Sequence, residues 1–319
     1  MENFWQKLQK PFTALAPMDG ITDYVFRQMI VSLGKPDVLF TEFTPIDGIF
    51  SKGKINAISN LMFNGTEQPI VAQIWGSDPK IFYKTSKFIS TLGFSGIDIN
   101  MGCPDRVTIK AGGCAALIKN QKLAGEIISA TKKGAKNIPI SVKTRIGFSK
   151  NEVNTWITFL LKQDISTLTV HLRTAIELSK PPAHWDEMPK IIEMRNRISP
   201  KTIIIGNGDL YSLSDIKEKN KKHKCDGYMV GRGILSNPWT FSNKKNVSEE
   251  ERFNTYLKHI LLFKKTWGET KNFANLKKFC KVYINNFPDA SKIREQIMET
   301  KSLKELVNIT KTLKNRGFL

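Results

Sequence analysis

The sequence predicts an α/β protein, a TIM (β/α)8 barrel followed by a small C-terminal all-helical domain. Three observations point there. Short aliphatic runs alternate with helical patterns from Phe12 to Val230. Polar residues gather where those runs end. No strand-like run returns after Trp239, and the rest of the chain has helical spacing.

The runs are Phe12–Ala16, Val38–Glu42, Ile70–Ile74, Gly96–Asn100, Ile140–Lys143, Leu168–His171, Thr202–Gly206 and Tyr228–Val230. They are nearly continuous Val, Ile and Leu, the pattern of strands covered on both faces. A doubly wound sheet is the alternative, but its first βα turn normally carries Gly-x-Gly-x-x-Gly. Here that turn reads Ala16-Pro17-Met18-Asp19-Gly20, which favours the barrel. Beyond Trp239, the polar stretch Ser242 to Glu251 reads as a linker. Within it, Ser248-x-x-Glu251 has the form of a capping box opening a helix. Phe253, Tyr256, Leu257, Ile260, Leu261 and Trp267 come next at helical spacing. The expected domains are residues 1–242, the barrel, and 243–319, the helical domain.

At 319 residues, with 40% hydrophobic and 24% charged content, the chain should fold rather than stay disordered. No stretch approaches the roughly 18 apolar residues of a membrane helix. Met1 to Lys10 lacks an apolar signal core. A soluble, cytoplasmic protein is expected, with monomer the default state. None of the cysteines forms a CxxC pair, which argues against zinc and thioredoxin-like motifs. Cys114, Cys225 and Cys280 read as packing residues. The net charge of +20, from 49 Lys and Arg against 29 Asp and Glu, favours a polyanion such as RNA. A Lys- and Asn-rich composition is also the mark of an AT-rich genome. Residues 246–319 hold 15 Lys and Arg against 8 Asp and Glu, so the excess continues into the helical segment. There Lys277, Lys278, Lys281, Lys292 and Arg294 interleave with Phe273, Phe279, Tyr283 and Phe287. The aromatics read as core; the basic residues are either a solvated face or an RNA surface.

In a barrel all strand C-termini converge on one face. Asp19, Thr41, Glu42, Gln73, Asn100 and Cys103 would meet there. So would Lys143, Arg145, His171, Arg173, Asn207, Asp209, Gly231 and Arg232. Strand ends are also simply where chains turn polar, but repetition at every strand favours a shared site. Gly102 and Pro104 hold Cys103 in a turn, and Gly112-Gly113 would give its loop hinge-like freedom. An unperturbed thiol, with a pKa of about 8.5, is protonated at neutral pH and can donate. Gly206-Asn207-Gly208-Asp209 and Gly231-Arg232-Gly233 close strands seven and eight, where TIM barrels typically hold a phosphate. Lys143, Gln73 and His171 add a cation, an amide and an imidazole. Together they suit a flat heterocycle with a phosphate tail, the shape of flavin mononucleotide (FMN).

Taken together, these motifs resemble the tRNA-dihydrouridine synthase family over nearly the whole chain. They are Ala16-Pro17-Met18-Asp19-Gly20-Ile21-Thr22-Asp23, Thr41-Glu42, Ala72-Gln73-Ile74-Trp75-Gly76 and Asn100-Met101-Gly102-Cys103-Pro104. Val142-Lys143-Thr144-Arg145, His171-Leu172-Arg173-Thr174 and the two glycine motifs complete the set. The resemblance implies a barrel holding FMN, a C-terminal helical domain gripping tRNA, and NADPH as reductant. It implies FMN contacts at Pro17, Met18, Asp19, Gln73, Lys143, His171, Asn207, Gly208, Asp209, Gly231 and Arg232. Cys103 matches the family's catalytic acid, which protonates C5 after hydride reaches C6 of an extruded uracil. Asn100 and Arg145 are candidate base or phosphate contacts. Leu172 departs from the family's usual Gly, and Ser179-Lys180-Pro181-Pro182 from its usual rim. Two other readings stay open: an FMN barrel acting on free pyrimidines, and an RNA-binding barrel without a cofactor.

Overall fold

The computed structural model describes residues 3–52, 54–242, 244, 246–285 and 288–315. Phe287, one of the interleaved aromatics, lies outside the described residues.

The strands are β1 (Phe12–Leu15), β2 (Leu39–Phe40), β3 (Thr44–Pro45), β4 (Ile70–Trp75), β5 (Gly96–Met101), β6 (Ile140–Arg145), β7 (Thr167–His171), β8 (Ile203–Asn207) and β9 (Gly227–Val230). All pairs are parallel, in the order β1-β9-β8-β7-β6-β5-β4-β2. A bridge between Ala14 and Val38 joins the two ends, with Leu15 N donating to Val38 O at 3.1 Å. The eight expected strands are therefore the eight staves of a barrel. The extra strand β3 pairs only with β4, through Thr44 and Pro45.

Burial on both faces explains the aliphatic runs: every residue of β5, β8 and β9 is buried. Phe12, Ala14, Val38, Phe40, Val71, Ile203, Ile205 and Met229 form one cluster with Trp5. Each large apolar side chain there contributes roughly 1.5–3 kcal/mol by leaving water. Trp5 comes from a short turn before β1, and its ring lies 5.9 Å from Phe12 and 6.2 Å from Phe40. Between strands, helices start on side-chain caps. Asp78 caps Pro79–Ile89, Asn120 caps Gln121–Ala135, and Ser212 with Asp215 forms a full capping box on Leu213–His223.

The chain divides into two compact units. One runs to Asp19 and from Pro36 to Gly231, and is the barrel; the other is Gly20–Lys35 together with the chain from Arg232 onward. The sequence boundary at residue 242 thus falls inside the second unit, which also takes the helix Tyr24–Gly34.

The second unit packs that helix with Glu249–Trp267, Ala274–Tyr283, Ala290–Glu299 and Leu303–Asn315. Its core is aromatic. Phe26 stacks on Phe279 at 4.9 Å, Tyr256 meets Tyr283 at 5.7 Å, and Trp239 meets Tyr283 edge-on at 6.3 Å. His259 sits among them, fully buried, its Nδ1 3.3 Å from the Tyr283 hydroxyl. Burial pulls its pKa down to about 3, so it is neutral at physiological pH. Phe279 and Tyr283 are core residues, as their spacing implied, while Phe273 is half-buried. The basic residues divide. Lys277 donates to the carbonyls of Met298 and Thr300, and Arg294 to that of Ile284. Lys278, Lys281 and Lys292 are exposed. Ser248 caps its helix through Glu251 N at 3.2 Å, but the Glu251 carboxylate pairs with Lys244, so only half the expected capping box forms.

Among the described residues no helix is long and apolar enough to cross a membrane.

Candidate active site

Strand register brings the polar residues together. Asn100 lies beside Lys143, Arg145 beside His171, and His171 beside Asn207. All sit at C-terminal strand ends, so one mouth of the barrel collects an amide, an ammonium, a guanidinium and an imidazole.

Lys143 Nζ donates to Asn207 Oδ1 at 3.1 Å, and Asn207 Nδ2 donates to Met229 O at 2.8 Å. The ammonium therefore leans on a neutral acceptor. Burial, helped by the Arg145 charge, pulls its pKa down to about 8, while Asp98 and Cys103 act in the opposite sense. Asn100, buried, lies next to it on the neighbouring strand β5, and Gln73, also buried, lies one strand further, on β4.

The Cys103 loop is tied down at several atoms. Asn100 Oδ1 accepts from Gly102 N at 3.0 Å and Cys103 N at 2.9 Å. Arg145 Nε donates to Gly102 O at 2.8 Å, and its Nη1 donates to Thr174 O and Leu178 O. Arg145 is nearly buried, so it organises the loop from beneath. At Gly113 a Cβ would lie 2.9 Å from Gly76 O, so the residue permits close packing.

Cys103 is half-buried and Cys114 fully buried. Ala115 N donates to Cys103 O at 3.2 Å, which brings the Cys114 segment against Cys103. Donation from Cys114 stabilises the Cys103 thiolate and brings its pKa down to about 6, with burial opposing and Asp105 N–H and Thr108 assisting. Cys114 is pushed far up by the same bond and by burial. Cys114 is buried, as a packing residue would be, and it is the largest influence lowering the Cys103 pKa. The signal in the sequence was Cys114 directly after Gly112-Gly113, on the same loop. Cys225 and Cys280 are buried, and burial pushes each up to about 12.

The motif Gly206-Asn207-Gly208-Asp209 at the end of β8 splits its roles. Gly208 has φ +129, and a Cβ there would come 2.8 Å from Ala183 Cβ, so only glycine fits. Its carbonyl accepts from Trp185 Nε1 at 2.9 Å. The Asp209 carboxylate is held by Arg173 Nη2 at 2.6 and 2.7 Å and by Ala183 N at 2.8 Å. That carboxylate thus braces the loop, leaving backbone for a ligand. Leu172 is fully buried. Pro17 is buried, Met18 half-buried and Asp19 exposed after β1. Gly231 has open space on the Cβ side, with nothing nearer than Ala16 Cβ at 3.8 Å. Arg232, exposed, precedes the short helix Gly233–Ser236 in the second unit.

A parallel barrel with a thiol loop and a half-buried ammonium at its strand ends is an enzyme of the TIM-barrel class. The chain belongs to the dihydrouridine synthase (Dus) family, whose pattern matches residues 14–316. It is 41% identical over 309 residues to a probable tRNA-dihydrouridine synthase 2 of Bacillus subtilis strain 168, covering 96% of this chain and 94% of that one. It is 40% identical to a probable tRNA-dihydrouridine synthase of Staphylococcus aureus strain COL, covering 95% and 93%. The fold also matches histamine dehydrogenase from Rhizobium sp. 4-9, with TM-score 0.54 and 14% identity over 78% of this chain and 48% of that one. A 2-naphthoyl-CoA reductase matches with TM-score 0.56 and 9% identity, over 74% and 52%.

Proposed function

We propose that this protein reduces specific uridines in tRNA to 5,6-dihydrouridine, with FMN as cofactor and NADPH as reductant. One observation carries the reading: in a chain of this family, one barrel mouth holds both a half-buried thiol, Cys103, and an ammonium that has no anionic hydrogen-bond partner among the described residues, Lys143.

The residues present fit FMN. Lys143 has a neutral acceptor only, so a ring that can take negative charge would complete its surroundings. Gly231 leaves backbone open where a phosphate needs N–H donors. Pro17, Met18, Asp19, Gln73, His171 and Asn207 would hold the ring and chain. Gly208, Asp209 and Gly231 would take the phosphate, Asp209 through its backbone because its carboxylate is engaged by Arg173. When bound, the reduced cofactor supplies hydride for C6 of uracil.

The chain's own residues do the rest. Cys103 delivers the proton to C5. Its pKa is pulled down to about 6, chiefly by Cys114, which favours the thiolate. A base laid over the sulfur excludes water, which raises a thiol's pKa and favours the donor form. Asn100 and Arg145 act on the substrate by fixing the backbone on either side of Cys103. The uracil must leave its stack, which costs a few kcal/mol and less in unpaired loops. The helical segment 243–319 is proposed to bind tRNA, with Lys278 and Lys281 exposed for phosphates and Lys292, also exposed, paired with Asp289 at 2.8 Å.

Incubation with FMN, NADPH and an unmodified tRNA transcript tests this, by digestion and mass analysis of nucleosides. Dihydrouridine at defined positions is expected. Turnover of free uracil with tRNA untouched would contradict the reading.

A further inference from the structure

Asp98 lies at the middle of β5, fully buried, with no counter-ion in hydrogen-bond contact among the described residues. Its Oδ1 accepts from Ser141 Oγ at 2.6 Å and its Oδ2 from Gln73 Nε2 at 2.7 Å. A carboxylate only accepts, so it dictates which end of the Gln73 amide faces it. Gln73 Oε1 must then point away, and it accepts from Asn100 Nδ2 at 3.0 Å. That settles Asn100 in turn: its Oδ1 faces the N–H groups of Gly102 and Cys103 at 3.0 and 2.9 Å. Every bond in the series Asp98–Gln73–Asn100–Cys103 runs with the same polarity. An amide in this series cannot flip alone, because a flip would set two N–H groups or two oxygens against each other.

We propose that Asp98 is a positioning residue, which sets the polarity of this series and thereby holds the Cys103 backbone for proton delivery. The inference rests on the proposed role of Cys103 for its purpose, though not for its geometry. Burial makes such a carboxylate unfavourable and raises its pKa to about 6, against the pull of Ser141, Gln73 and Lys143. An apolar residue at this depth would be the ordinary choice for a barrel interior. The groups facing Asp98 are Ser141 on β6, Gln73 on β4, and Lys143 on β6 through its charge. None of them needs a carboxylate for packing.

Two substitutions separate polarity from bulk. Asp98→Asn can still offer an oxygen to Gln73 while its amide donates to Ser141, so the series keeps its direction. Asp98→Leu keeps the volume and removes the acceptor. The readout is amide hydrogen exchange at Gly102 and Cys103 in the full-length protein, which needs neither cofactor nor RNA. Asp98→Leu should speed that exchange roughly tenfold, the effect of one hydrogen bond of ordinary strength. Asp98→Asn should stay near wild type, and kcat for dihydrouridine formation should change in the same order with KM for tRNA little altered. If Asp98→Leu does not fold, Gln73→Met cuts the same series one link later and should also speed exchange at Gly102 and Cys103. Unchanged exchange in a folded Asp98→Leu or Gln73→Met protein overturns the proposal. So does an Asp98→Asn protein as disturbed as Asp98→Leu. If the exchange pattern holds while wild type makes no dihydrouridine, the functional reading falls and the positioning role stands.

Discussion

Asp98 in the barrel and His259 in the helical unit are both fully buried ionisable groups, and the protein treats them in opposite ways. Asp98 is wrapped in donors and titrates near 6, within reach of physiological pH. His259 is wrapped in rings and titrates near 3, so it stays neutral. The barrel interior uses buried polarity to aim a loop. The helical unit uses aromatic area to hold itself together, and its histidine serves as one more ring. Burial alone therefore does not mark a functional group; the partners that the burial brings do.

The largest effect expected is at the barrel mouth. Cys103→Ala should lower dihydrouridine formation by roughly 10²–10⁴, the usual share of a general acid, while FMN binding stays unchanged. Single-turnover rates and flavin titration check both halves; full activity in the variant would remove Cys103 from the chemistry. In the helical unit the expected effect falls on stability. Phe279→Ala removes the ring stacked on Phe26 and should destabilise the fold by about 3–5 kcal/mol, read from denaturant unfolding. A loss under about 1 kcal/mol, the range of a surface substitution, would mean the aromatic core is not what binds this unit.

A smaller effect separates the two buried groups by pH. The pKa of His259 falls from 6.5 in the unfolded chain to about 3 in the folded one. Its contribution is present above pH 6.5 and is lost as pH falls toward 3, because only the unfolded chain then takes up the proton. His259→Phe should flatten the acid side of the stability profile in that window; an unchanged slope would assign it to other groups. The smallest change concerns reactivity alone. Cys103 should be alkylated by iodoacetamide with a midpoint near pH 6. In Cys114→Ala that midpoint should move up toward the ordinary thiol range, and in Cys114→Ser, which keeps a donor, it should move less. Equal midpoints in all three proteins would mean that the two thiols do not share a proton.

The sequence made the barrel legible because parallel strands covered on both faces leave unbroken aliphatic runs, and their polar ends stand out against them. Lys143, Asn207 and Cys103 were found that way. Asp98 was passed over because it lies inside a run, two residues before the strand end. The partnership of Cys103 with Cys114 depends on a loop folding back, which spacing does not encode. Arg145 and Asp209 were legible as polar residues at the mouth, but not as braces, since their partners are backbone carbonyls and a residue one strand away. The helix Tyr24–Gly34 reads as a barrel helix in sequence order. Its Phe26 shares a core with Phe279, which only three-dimensional packing reveals.

The most direct test of the central claim is anaerobic. Protein loaded with FMN and reduced by NADPH is mixed with unmodified tRNA, and the flavin absorbance is monitored. The account predicts that the oxidised bands return on adding tRNA, with dihydrouridine formed in proportion. A protein that takes up no FMN, or whose reduced flavin is reoxidised only by a free pyrimidine, would contradict it.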